Sequence, residues 1–251
     1  MKIGVLYSHV VGRAPGAPPS DHYQAYARRF FRTYAEFAPT VHHDLVVIAC
    51  GGKPDPAVAD MFPNARNESY TGGGWDVGAW QQVARSSDYD LVVCFSAHGY
   101  FWRRGWLERI AWAVREHGIG LYGVHGSFEN TPHLRTSGLC FAPELMRRYG
   151  WTVHDRGDTY RFESLQWNFT TWAGDQGYPV KLVTWDGVYD EKDWRRPPDI
   201  FRRGDQSNCL TWDRHTDWFM GGGFDERTRL AGLSDQPWKR VNWETGKTGE
   251  S

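Results

Sequence analysis

Short, unbroken apolar runs separated by stretches of helical spacing set the pattern of this chain. Lys2 to Tyr7 (KIGVLY) is such a run at the very start, the pattern of a strand covered on both faces. Asp44 to Ala49 (DLVVIA) repeats it and is broken by Gly51-Gly52; Leu91 to Phe95 and Gly120 to Val124 follow. Aromatic and alanine positions at helical spacing (Tyr23, Ala27, Phe30, Phe31, Tyr34) predict a helix over Asp21 to Phe37, capped by Ser20. Val77 to Arg85 and Trp106 to His117 also read as helices, whereas Val11 to Ser20, with its glycines and prolines, reads as a mobile loop. Farther along, the pattern predicts a strand over Leu134 to Phe141 and a short helix over Pro143 to Tyr149. A longer helix over Phe162 to Ala173 and a last strand over Val180 to Trp185 follow. The alternation predicts an α/β fold: a mostly parallel, doubly wound sheet flanked by helices. Beyond Asp186 the chain turns polar and irregular, as loops laid over the sheet's carboxyl edge would be, where open α/β sheets bind ligands.

Composition narrows the classes. At 251 residues the chain is long enough for one sizeable core, and a net charge of −1 excludes a generally basic protein. A local basic face remains open, because arginine pairs sit beside aromatics at Arg28-Arg29, Arg103-Arg104, Arg147-Arg148, Arg195-Arg196 and Arg202-Arg203. Such pairs suit phosphate contact and ring stacking, or simply a solvated surface. Fourteen tryptophans exceed what a core of this size needs, and indoles stack on sugar faces and bases. Cys50, Cys94, Cys140 and Cys209 are widely spaced and read as buried thiols in a reducing compartment. No apolar stretch of about 18 residues exists, and Met1-Lys2 runs straight into a strand, so a soluble, cytoplasmic protein without membrane insertion is expected.

The run Gly72-Gly73-Gly74-Trp75-Asp76-Val77-Gly78-Ala79-Trp80 carries the first chemical signal. Glycines let a backbone approach something flat or phosphorylated, and a loop-borne acid beside them can hold a ribose or sugar hydroxyl. The competing reading is a glycine-rich turn in which Asp76 caps the following helix.

The order of signals from about residue 70 to 190 resembles a known family. Gly74, Asp76, Gly78, Ala79 and Trp80 are followed by Tyr89-Asp90-Leu91-Val92-Val93, Gly105-Trp106-Leu107 and Gly120-Leu121-Tyr122-Gly123. Pro132-His133-Leu134-Arg135-Thr136-Ser137-Gly138 and Arg161-Phe162-Glu163 complete the series. Together they resemble the GT-A fold nucleotide-sugar glycosyltransferases, most of all the rhamnan-synthesis, family 2-like type. The resemblance implies a single domain over 1–251: a nucleotide-sugar half at 1–125, an acceptor half at 126–190 and a C-terminal lid at 191–251. It also implies a D-x-D motif holding Mg²⁺ or Mn²⁺ at the end of the central strand. Here that place reads Phe95-Ser96-Ala97-His98-Gly99, without a carboxylate. Either His98 and His215 hold the metal, or arginines neutralise the diphosphate instead, or catalysis has been lost.

Transfer from a nucleotide sugar needs a base for the acceptor hydroxyl and a neutralised leaving group. Glu163 is the candidate base, with a capping glutamate after Thr159 as its structural reading; Asp158 stands in reserve. The resemblance places Asp76, Gly74, Tyr7, Ser8 and His98 at the donor, and His133, Arg135 and Ser137 at the acceptor. Asp213 and Asp217, flanking His215, are expected to orient it. A single displacement would invert the anomeric centre. The donor would be a UDP-, GDP- or dTDP-linked sugar, and the acceptor a surface glycan or a hydroxymethylated base in DNA. The alternative is a catalytically inactive nucleotide-sugar or glycan-binding module. An oxidoreductase on a Rossmann sheet fits less well, since no acid follows a second strand at the required offset.

Overall fold

The computed structural model describes residues 1–11, 20–235, 240–242 and 247–249; the loop expected at Val11 to Ser20 falls almost wholly outside them. Chain order runs β1 (Ile3–Val10), α1 (Ser20–Glu36), β2 (Asp44–Cys50), α2 (Pro56–Met61), β3 (Arg66–Tyr70), α3 (Trp75–Ser86), β4 (Leu91–Phe95) and α4 (Trp106–His117). Then come β5 (Leu121–Gly123), β6 (Gly126–Ser127), β7 (His133–Leu134), β8 (Leu139–Phe141), α5 (Pro143–Arg148), α6 (Arg156–Glu163) and α7 (Phe169–Asp175). β9 (Val180–Val183), β10 (Val188–Asp190), α8 (Arg214–Gly221) and α9 (Phe224–Asp235) follow.

Eight strands form one sheet in the order β10-β9-β5-β8-β4-β1-β2-β3. β1 pairs in parallel with β2 on one side and β4 on the other, and β3 extends the parallel set. β8 enters antiparallel between β4 and β5, β9 runs parallel to β5, and β10 turns back along the edge. The expected architecture, a mostly parallel sheet flanked by helices, is the one observed. Because the chain fills the sheet outward from β1 in both directions, the β1–β4 junction is the point where strand order reverses. A crevice opens there at the carboxyl ends of the strands.

The burial of β1 and β4 explains their unbroken apolar sequence: Ile3, Val5, Leu6, Val92 and Val93 are fully buried. On one face Phe30 of α1 and Trp106 of α4 pack over Val5 and Phe95; on the other, Trp80 of α3, Phe141 and Phe169 form the second half of the core.

Several elements differ from expectation for identifiable reasons. β3 carries alternating polar residues on the outer edge, so no apolar run announces it. The strand expected over Leu134 to Phe141 is two, because Gly138 at φ +77 turns the chain between β7 and β8 and leaves the polar 135–137 stretch outside the ladder. The helix expected over Phe162 to Ala173 breaks, since Asn168 accepts from the Thr171 amide at 2.8 Å and starts α7 afresh. The last expected strand stops at Val183 and hairpins into β10. The C-terminal segment is not loops alone, for it folds α8 and α9.

The glycine run also has a different purpose from the one expected. A Cβ on Gly73 would meet the His154 carbonyl at 2.4 Å, and one on Gly74 the Val153 carbonyl at 2.3 Å. The close approach is to the protein's own 153–154 backbone, and it seats the start of α3. Gly74→Ala is expected to cost about 1–3 kcal/mol, from overpacking against backbone that cannot swing aside. Urea denaturation checks this; an unchanged midpoint would show that the 153–154 segment yields freely.

Candidate functional site

A cavity of about 540 Å³ opens at the carboxyl ends of β1 and β4, lined by Ser8 and Val10 from one strand and Ser96, Ala97 and His98 beyond the other. α3 begins under its floor. Trp75 is held at φ +51, a left-handed conformation that side chains rarely adopt, and the next residue is Asp76. Asp76 therefore lies in the first turn of a helix rather than in a loop. Nor is it the cap: Gly74 occupies that position, and the Asp76 carboxylate accepts from the adjacent Val77 amide, at 3.0 Å. Burial, and then the nearby charge of Glu163, push its carboxyl up to about 6.

Glu163 lines the same cavity from the last turn of α6, not from a helix start, so the capping reading after Thr159 does not hold. Its Oε1 accepts from both the amide and the hydroxyl of Thr136, each at 3.0 Å, and the Arg135 guanidinium stands 4.0 Å away. Burial alone would raise this carboxyl; Arg135, His133 and the Thr136 bonds outweigh that and hold it below the usual range. Two neighbouring carboxylates are thus driven apart in titration, a pattern that marks acid–base sites.

Arginines line the same cavity. Arg135 lies over the Phe201 ring at 4.8 Å, and its ion-pair contacts to Glu129 and Glu163 are loose, at 3.9 and 4.0 Å. Arg202 is 6% exposed and pairs with Glu129 at 3.1 Å. It is carried by a loop in which Asp199, Arg202, Gly204 and Gln206 all have positive φ. The Arg202 amide donates to the buried Gln206 side chain at 2.9 Å, which fixes the turn. Arg214 begins α8, rests over Trp218 and reaches His98 Nε2 at 3.4 Å. Asp213, 3% exposed, caps that helix by accepting from the His215 and Thr216 amides at 2.8 and 3.2 Å. Burial would raise its carboxyl, but His215, His125 and Arg135 outweigh this and hold it down at about 2.

His98, His125 and His215 are neutral at neutral pH. Burial, then Arg214, lowers His98 to about 3; burial lowers His215 and His125 to about 4. His125 is fully buried, and neither ring nitrogen has a partner among the described residues.

Of the residues singled out in the sequence, Ser8, Asp76, His98, His133, Arg135, Ser137, Glu163, Asp213 and His215 line this one cavity. The others fall elsewhere. Tyr7 is core: fully buried, stacked on Phe30 at 4.0 Å, and donating to the Ala97 carbonyl at 3.1 Å. Gly74 packs on Val153, as described above. Asp158 accepts from the His154 amide at 3.0 Å outside the cavity, a turn contact, and does not face Glu163's neighbourhood as a base would need to. Asp217 turns away from His215 to bind Arg29 at 2.7 Å and the Tyr100 hydroxyl at 2.7 Å, tying α8 to α1. Sequence reasoning missed Glu129 and Tyr160 outright. Arg202 was visible only as a member of an arginine–aromatic cluster, and Arg214 only as a neighbour of His215 with no role of its own.

The donor set for a divalent ion does not fit. Among the described residues no group of three or more His, Cys, Asp or Glu side chains is placed to hold a metal. His98 presents its Nε2 to a guanidinium, and Asp217, expected beside His215, is committed to Arg29.

No protein-family model matches the chain, and no curated protein matches it. Among solved structures it is similar to a mannosyltransferase from Pyrobaculum calidifontis in complex with GDP-Man and Mn²⁺, at 15% identity and TM-score 0.49. That match covers 71% of this chain and 53% of the mannosyltransferase. It is also similar to TarS from S. aureus, at 12% identity and TM-score 0.43, covering 59% of this chain and 29% of TarS. A third is CMP:2-keto-3-deoxy-manno-octonic acid synthetase complexed with CTP, at 9% identity and TM-score 0.40, covering 59% of this chain and 77% of the synthetase. The chain thus spans only 29% of TarS and about half of the mannosyltransferase. Likeness of this extent carries no weight for the chemistry, which rests on the cavity itself. Among the described residues no helix is long and apolar enough to cross a membrane.

Proposed function

We propose that the cavity transfers a sugar from a nucleotide diphosphate to an acceptor hydroxyl. The observation that carries this reading is the pairing of Asp76 and Glu163 in one cavity, one inclined to hold a proton and the other held ionised, with Arg135, Arg202 and Arg214 lining the same space. The two acids take exchanged roles relative to the sequence expectation. A carboxyl near 6 that forms no ion pair within 4 Å among the described residues is suited to accept a proton, so Asp76 is the general base. Glu163 stays anionic, engages a hydroxyl of the sugar and offsets the positive charge that develops on its ring. The acceptor oxygen attacks the anomeric carbon, the bond to the phosphate oxygen breaks, the nucleoside diphosphate leaves with the electron pair, and the hydroxyl proton passes to Asp76. One displacement inverts the centre.

Rim aromatics support an acceptor with a flat face. Tyr160, half exposed, lines the cavity and receives a bond from Arg156 at 3.2 Å, while Trp218, 55% exposed, lies outside the lining but stands under Arg214, which is part of it. Sugars and nucleobases both stack on such platforms, so a surface glycan and a hydroxymethylated base in DNA are the two acceptor classes. Incubation with UDP-, GDP- and dTDP-sugars plus either hydroxymethylated duplex DNA or oligosaccharides, followed by mass spectrometry of digested nucleosides and of glycans, tests the reading. A mass gain of one sugar on either acceptor supports it and names the class. Tight donor binding with neither transfer nor slow donor hydrolysis would instead identify a non-catalytic binding module.

A further inference from the structure

We infer that the donor's diphosphate is gripped by Arg135, Arg202 and Arg214 without a divalent cation. This deepens the transferase reading and rests on it. The chemistry that a metal would supply is neutralisation of the leaving group, and the residues that could hold one do not assemble. The single histidine at the end of β4 faces Arg214, and the two carboxylates flanking His215 are engaged elsewhere, since Asp213 caps α8 and Asp217 binds Arg29; Asp76 is left as a lone acid that makes no three-residue donor set among the described residues.

The arginine wall, by contrast, has unspent capacity. Among the described residues the Arg135 side chain makes no hydrogen bond, only loose ionic contacts at 3.9 and 4.0 Å, and its buried Nε lacks a partner. Arg214 has no carboxylate partner among those residues, only the imidazole of His98 and the face of Trp218. Arg202, 6% exposed, also leaves its Nε unpaired, although its Nη1 is bound to Glu129. Ser137, 5% exposed, contributes a further buried hydroxyl with no partner. Leaving such donors unsatisfied costs free energy in a folded protein, and three non-glycine residues at positive φ, Asp199, Arg202 and Gln206, add backbone strain. Both costs are offset if a ligand bearing several oxygens occupies the pocket. A diphosphate ester carries about two negative charges, which two or three guanidiniums can match with bidentate bonds. As the anomeric C–O bond breaks, the charge that grows on the departing phosphate oxygen meets these fixed donors.

Calorimetric titration with inorganic pyrophosphate, UDP, GDP and dTDP, each in EDTA and in MnCl₂, tests the inference on the whole protein. Removing metal is expected to change the affinity for the preferred diphosphate less than twofold. Arg214→Ala and Arg135→Ala should each weaken it more than tenfold, and Arg214→Lys, which keeps the charge but loses the fork, should fall between. Thermal melts of each variant separate lost binding from lost folding, with Arg214→Lys serving if the alanine forms unfold. A nucleoside diphosphate that binds only with Mn²⁺, and no longer binds when His98 and His215 are both changed to alanine, overturns the inference and leaves the transferase reading intact. Pyrophosphate bound in EDTA, with no nucleotide or nucleotide sugar bound under either condition, keeps the arginine cradle and removes the transferase reading. Binding of neither overturns both.

Discussion

Asp76→Asn is expected to abolish sugar transfer while making the protein more stable at neutral pH. The loss of the base should lower kcat by about 10²–10⁴-fold. The gain in stability follows from the raised carboxyl. Its folded value, about 6, lies above the ordinary 3.8, so the native state holds this proton more tightly than the unfolded chain does. That contribution is complete below about pH 4 and is lost as the pH climbs through about 6; above it, the fold carries a buried charge beside Glu163. Asparagine fills the same space without the charge. Because Asp76 opens onto a wet cavity, the relief is about 1–2 kcal/mol rather than the full value the shift would give. For a chain of this length that is a rise of a few degrees in melting temperature. Scanning calorimetry at pH 5 and pH 7.5 checks it: the variant's advantage should be larger at the higher pH. An asparagine variant that melts lower than the parent at pH 7.5 would show that the carboxylate is a structural anchor.

Glu163→Gln is expected to behave in the opposite sense. Its carboxylate accepts two bonds from Thr136 and faces Arg135, so losing the charge should destabilise the fold by about 1–3 kcal/mol. Transfer should drop about 10–10²-fold, as expected for removal of an electrostatic contact to the reacting sugar. The more informative readout is the pH dependence of kcat/KM. In the parent, activity should rise with pH through about 6 as Asp76 ionises. Since part of the Asp76 shift comes from the Glu163 charge, the glutamine variant should keep that acid limb but move it to lower pH. Disappearance of the limb in Glu163→Gln would return the base to Glu163; an unmoved limb would show that the two acids do not sense each other.

Much of the frame was legible in the chain because buried parallel strands write themselves as continuous apolar runs: β1, β2 and β4 fall where KIGVLY, DLVVIA and LVVCF predict them. Edge strands do not, which is why β3 and β10 went unread, although β9 fell where Val180 to Trp185 predicts a strand. The pocket was half legible. Asp76 and Glu163, about 90 residues apart in sequence, do meet across one cavity. Their separate environments were invisible, because the titration of each depends on partners such as Thr136 and Arg135 that only tertiary packing brings near. Gly74 misled for a comparable reason. A glycine needed for close approach looks the same in sequence whether it meets a phosphate or, as here, the Val153 carbonyl. Arg202 was hidden most completely, since a turn of left-handed residues at Asp199, Arg202 and Gln206 has no glycine-rich spelling to announce it.

The most direct test is release of nucleoside diphosphate from a panel of UDP-, GDP- and dTDP-sugars, followed by chromatography for the parent and for Asp76→Asn side by side. The account predicts that at least one donor is consumed by the parent in the presence of a hydroxyl acceptor and is left intact by a fully folded Asp76→Asn protein. Equal consumption by both proteins, or none by the parent with any donor and acceptor offered, would contradict it.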